Sequence, residues 1–141
     1  MAATENNGRR IPAPIVPDGR NRLVKFSFKY TDLASNDFDL QQCSDVVLRF
    51  LVAKIREYSH WPLDAFIDQN NHEHRHIIDF RETRFKDGFT NVNVDQLAYH
   101  EAWQFELVPR EPWRIYGILV EETFFVIWLD PNHSLYEPIS N

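Results

Sequence analysis

The chain has 141 residues and a mass of 16.8 kDa, the size of one domain. Lys and Arg number 15 against 21 Asp and Glu, and the resulting net charge of −6 argues against a general nucleic-acid coat protein, whose affinity comes from neutralising phosphates. Hydrophobic residues at 43% and aromatics at 14% suffice for a buried core, while a single cysteine, Cys43, excludes a disulfide framework or a CxxC zinc site.

Residues 1–21, MAATENNGRRIPAPIVPDGRN, are rich in proline and show neither helical nor strand periodicity, so they are expected to form a flexible leader ahead of a single domain over 22–141. Three arginines against two acids make this leader weakly basic: a solvated terminus, or an arm for a partner. From Arg22, RLVKFSFKY alternates apolar and polar residues, which predicts a strand with one wet face. Asp32, Ser35, Asn36 and Asp37 then mark a loop.

In SDVVLRFLVAKIREYSH, Val47, Leu48, Leu51, Val52, Ile55 and Tyr58 recur at three- and four-residue steps. That spacing predicts an amphipathic helix, with Ser44 as its N-cap and Asp45 in the first turn. Pro62 suits the start of a second short helix, PLDAFIDQ, closed by Asn70 and Asn71. Residues 72–100 read as a long connection that opens with a possible short strand, HEHRHIIDF. WQFELV, WRIYGILV and TFFVIWLD are then three aromatic and β-branched runs with short connections, which predict an antiparallel meander. The third run is apolar at nearly every position, as in a central strand covered on both faces. Pro131 ends it, and NHSLYEP forms a tail. The expected class is α+β: an N-terminal strand, a helical hairpin and a C-terminal antiparallel three-stranded meander forming one sheet packed by the helices.

Several clusters carry possible chemistry. His72, His74 and His76 would share one face of a strand, a spacing that metal sites use, with Glu73 or Asp79 as base and His100 as a distant fourth ligand. The same residues in a loop are solvated histidines, and no HExxH motif accompanies them, so neither metal nor cofactor is assigned. In RETRFKDGF, Arg81, Arg84 and Lys86 surround two phenylalanines, a pattern suited to single-stranded RNA. The competing reading is a loop whose Phe85 and Phe89 cover the core. Cys43 lies near a helix N-terminus, where a thiol pKa can fall, yet no His with an orienting carboxylate follows it in sequence. Gly-rich phosphate loops and a GxSxG elbow are lacking.

The order of elements, together with WQFEL, WRIYGIL, VEETFFVIWLD and NHSLY, resembles the RelE/ParE toxin superfamily of bacterial toxin–antitoxin systems. The resemblance covers residues 22–70 in topology and 102–137 in local pattern. It implies a toxin acting on translation as an mRNA endoribonuclease, with an antitoxin and the ribosome as partners. It also implies catalytic roles for three residues. Arg114 takes the place of the arginine that stabilises the cleaved phosphate. His133 and Tyr136 take the places of the basic and aromatic residues beside the scissile bond. RNA self-cleavage needs a base for the 2′-proton, a cation for the phosphorane and a donor for the leaving oxygen, and Arg, His and Tyr can supply these.

The alternative is a non-enzymatic protein-binding module, a ParE-like inhibitor or a phage-defence or counter-defence protein, using an aromatic sheet face. Set against the catalytic roles is a purely structural reading, in which Arg114 pairs with an acidic neighbour such as Glu106 and Tyr136 packs the tail. Acidity favours the protein-binding alternative: residues 101–141 hold Arg110 and Arg114 against seven acids, and an anionic surface suits proteins with basic patches. No apolar run approaches the roughly 18 residues that span a bilayer, and the N-terminus has no apolar signal core, so a cytoplasmic location is expected.

Overall fold

The computed structural model describes residues 22–38, 40–68, 75–92 and 100–136. The leader, Asn70 and Asn71, His72, Glu73 and His74 lie outside these residues.

The first strand, β1 (Lys25–Ser27), is shorter than the alternating pattern suggests. After it the chain turns at Phe28–Thr31 and crosses the sheet edge, anchored by Thr31 Oγ1 donating to the Val126 carbonyl at 2.6 Å and Asp32 N to that of Ile127 at 2.9 Å. The main helix, α1 (Asp45–Tyr58), starts where Ser44 Oγ accepts from the Val47 amide at 3.3 Å. A short helix, α2 (Leu63–Ile67), follows Pro62. Next come β2 (Arg75–Ile77), a single 3-10 turn at Phe80–Glu82, β3 (Ala102–Glu106), β4 (Arg114–Val120) and β5 (Thr123–Asp130).

The sheet has five strands in the order β1-β5-β4-β3-β2. The α+β class holds, and the expected architecture needs two corrections. The three-stranded meander is extended to four consecutive antiparallel strands, because β2 pairs with β3 through Arg75↔Phe105, His76↔Gln104 and Ile77↔Trp103. In addition, β1 pairs parallel to β5, with Phe26 opposite Phe124. β5 is therefore internal, as its apolar run requires.

Strand parity splits the core in two. Val24, Trp103, Phe105, Ile115 and Phe124 lie under α1 and α2, joined by Val47, Leu51 and Tyr58 of α1 and Phe66 of α2. The opposite face carries Tyr116, Ile118, Ile127 and Trp128, covered by Phe38, Phe89 and Leu135 from loops. Phe38 stacks on Trp128 at 4.5 Å, and the Trp128 indole N–H donates to Asp32 at 3.0 Å. Both faces of the sheet are thus buried, and it presents no open aromatic face among the described residues.

A bulge lets β5 serve both cores. Gly117 pairs with Val126 and Tyr116 with Trp128, so Ile127 is the extra residue and both Ile127 and Trp128 point to the loop-covered side. Gly117 lies against the β5 backbone: a Cβ there would overlap the Phe125 carbonyl oxygen and the Phe124 ring. Under α2 a buried cation closes the packing. Arg75, 4% exposed, donates Nε–H to the Phe66 carbonyl at 2.8 Å and lies 4.8 Å from the Trp61 ring centre. It satisfies carbonyls at the end of α2 while its charge faces aromatic rings.

Candidate functional site

The loop-covered face carries polar groups at the end where β4 begins and β5 ends. The register lines up Glu106, Arg114 and Asp130 as one cross-strand row, and His76, Gln104 and Tyr116 as the next. Period two along each strand places both rows on the same side. Asp130 is the last residue of β5, so the chain leaves the sheet beside these rows and carries His133 and Tyr136 back over them.

Arg114 Nη2 lies 3.3 Å from Glu106 Oε2, with side chains 14% and 13% exposed. Its Nη1 donates to the carbonyls of Glu111 at 2.8 Å and Trp113 at 3.1 Å. The ion pair that the structural reading assigns to Arg114 is therefore present. Asp130, 1% exposed, accepts from the Tyr116 hydroxyl at 2.6 Å, from the Ser134 amide at 2.6 Å, and from the Asn132 amide and the Ser134 hydroxyl, both at 3.1 Å. Burial, reinforced by the Asp130 charge, drives the Tyr116 pKa far above the ordinary phenol value. The Gln104 carboxamide oxygen, set between His76 and Tyr116, is buried with no protein donor.

His133 is solvent-exposed and sits in the left-handed region with φ 51°. Partial desolvation and then the Arg114 charge lower its pKa below the usual imidazole value, against an opposing pull from Asp130. The ring is therefore held neutral near neutral pH, where it can accept a proton. Tyr136 meets it edge to face with ring centres 6.3 Å apart. Desolvation and then the Glu82 and Asp79 charges raise the Tyr136 pKa, so its hydroxyl stays a donor. Arg114, His133 and Tyr136 are thus brought into one neighbourhood.

The three basic residues of the RETRFKDGF segment are each engaged by groups of the protein itself. Arg81 is bound twice by Asp79, at 3.0 and 2.8 Å. Lys86 donates to the carbonyls of Arg81 and Thr83 at 3.1 and 3.0 Å. Arg84 donates to the Ser134 carbonyl at 2.9 Å and so ties this loop to the C-terminal tail. Arg84 and Lys86 also line a polar cavity of about 510 Å³, where Asp32, Asp37 and Asp87 offset their charge. Phe85 and Phe89 pack on Trp128 at 5.5 and 4.8 Å, as the core-covering reading of the segment expects.

Among the described residues no three or more His, Cys, Asp or Glu are placed to hold a metal. His76 lies in β2 with its Nδ1 3.1 Å from the Ile77 carbonyl oxygen, and His100 is exposed near an apolar pocket of about 370 Å³ lined by Ile77, Phe80, Phe89 and Ile118. Cys43 packs against the helix-side core. Residue type does not single out Asp130, Tyr116 and Gln104, because each is an ordinary strand residue. The parity of RIY, which sets Arg114 and Tyr116 on one side, was the available signal.

No helix among the described residues is long and apolar enough to cross a membrane. Comparison with protein-family models, curated proteins and solved structures yields no significant match.

Proposed function

We propose that the chain is an endoribonuclease toxin of the kind its sequence resembles, cleaving mRNA and restrained by an antitoxin. The supporting observation is that Arg114 of β4 and His133 and Tyr136 of the tail, distant in sequence, share one end of the sheet, with the exposed His133 ring kept neutral beside Arg114. In this reading the His133 imidazole takes the 2′-hydroxyl proton and the 2′-oxygen attacks phosphorus. The P–O5′ bond breaks, and the Tyr136 hydroxyl gives its proton to the leaving oxygen. Arg114 offsets the charge that builds on the non-bridging oxygens, drawing on a guanidinium that it shares with Glu106. The products are a 2′,3′-cyclic phosphate and a 5′-hydroxyl. For the antitoxin, α1 offers Val46 and Phe50, one turn apart and 52% and 40% exposed.

Induced expression of the wild-type chain should arrest growth and produce mRNA cuts visible by primer extension. His133→Ala should abolish both. Absence of growth arrest and of cuts in the wild type would sink the reading.

A second reading, the non-enzymatic protein-binding module, draws on the same apolar α1 surface and on the neutralisation of Arg81 by Asp79 and Arg114 by Glu106. Its surface is the helix, since the sheet's aromatic rings are buried in the two cores. Growth arrest that persists in His133→Ala without mRNA cuts would favour it.

A further inference from the structure

His133 holds a left-handed backbone conformation at φ 51°, a region that a residue with a Cβ enters only at a steric cost. Such a conformation persists only where its surroundings over-determine it. Here the determinant is the Asp130 carboxylate. It accepts from the amides of Asn132 and Ser134, the residues on either side of His133, and from the Ser134 hydroxyl. The carboxylate is itself fixed from the sheet by the Tyr116 hydroxyl at 2.6 Å, on a ring that is fully buried.

We propose that Tyr116 and Asp130 are positioning residues for His133: the sheet-borne phenol holds the buried carboxylate, and the carboxylate holds the turn that presents the imidazole beside Arg114. This rests on the nuclease reading for its catalytic consequence, although the geometric claim stands without it. The tail after the turn is clamped separately, by the Arg84 amide donating to the Leu135 carbonyl at 2.9 Å and by the Thr83–Tyr136 bridge. Loosening the turn therefore frees His133 without releasing Tyr136.

The charged and titratable groups around the His133 ring come from four strands and the tail: His76 of β2, Glu106 of β3, Arg114 of β4, Asp130 of β5 and Tyr136. Desolvation and Arg114 lower its affinity for a proton, so a ring released into solvent titrates closer to its ordinary value.

The test uses Tyr116→Phe, which keeps the ring volume and the Asp130 charge, and Ser134→Ala, which removes one hydrogen bond on the carboxylate and leaves the core untouched. The His133 ring is titrated by proton NMR, assigned by its loss in His133→Asn, and cleavage of mRNA on programmed ribosomes is followed in parallel. In Tyr116→Phe the midpoint should rise toward the ordinary imidazole value, with a smaller rise in Ser134→Ala. The kcat of Tyr116→Phe should fall about tenfold or more with KM within about twofold. A purely structural tyrosine would lower the melting temperature and leave the midpoint and kcat in place. An unchanged midpoint in both variants, or in Ser134→Ala alone if Tyr116→Phe does not fold, overturns the proposal. If the wild type cleaves no RNA the nuclease reading fails, and the titration still decides the positioning role.

Discussion

Arg114 and Glu106 face each other across the β3–β4 ladder at 3.3 Å, each about one-seventh exposed, so their ion pair is largely desolvated. A pair in that setting has two separable consequences. Removing one partner leaves the other desolvated, and Glu106→Gln should lower stability by about 1–2 kcal/mol, measured by urea unfolding. The same substitution frees the guanidinium, so binding of a short RNA should tighten in Glu106→Gln and weaken in Arg114→Gln, read by fluorescence anisotropy. Weaker RNA binding in Glu106→Gln would contradict a phosphate-facing role for Arg114.

Gly117 is the point where the β4 backbone approaches β5 too closely for any side chain. Gly117→Ala forces a Cβ into the Phe125 carbonyl and the Phe124 ring, at the centre of the sheet. The strand must move or the bulge must open, and a loss of about 3 kcal/mol or more is expected. A melting temperature within a few degrees of wild type would show that the bulge relaxes.

His133 gives stability a defined pH dependence. Folding lowers its pKa below the ordinary value of 6.5, so the unfolded chain binds the proton more readily. The contribution of the neutral ring is complete above the unfolded value. It is lost as pH falls from there through the folded-state pKa, and becomes constant below. His133→Asn should therefore flatten part of the fall in urea midpoint between about pH 7 and pH 5. Identical pH profiles for variant and wild type would contradict the lowered pKa.

Trp128 holds Phe38, Phe80, Phe85, Phe89 and Asp32 over the loop-covered face. Trp128→Ala should lower stability by about 3–5 kcal/mol, and amide exchange should quicken first in residues 30–38 and 80–92. Uniform loss of protection across the sheet would place the weak point elsewhere.

Much of the architecture could be read from local pattern. The three- and four-residue spacing from Val47 to Tyr58 and the cap at Ser44 give α1, and the unbroken apolar run of β5 gives its internal place. What local pattern does not carry is register. The alignment of Glu106, Arg114 and Asp130 depends on the extra residue Ile127, and nothing around Ile127 marks it as a bulge. The parallel pairing of β1 with β5 joins segments about a hundred residues apart and leaves no local trace. Likewise, Arg114, His133 and Tyr136 are singled out only through the family resemblance, whereas Asp130 and Tyr116 gain their roles from the turn that brings the chain back over the sheet.

The most direct test of the nuclease reading is chemical. Purified wild-type chain and His133→Ala are incubated with mRNA on programmed ribosomes, and the ends of any fragments are determined. The account predicts fragments ending in 2′,3′-cyclic phosphate with the wild type and none with His133→Ala. Intact mRNA with wild type, or equal cleavage by both proteins, would contradict it.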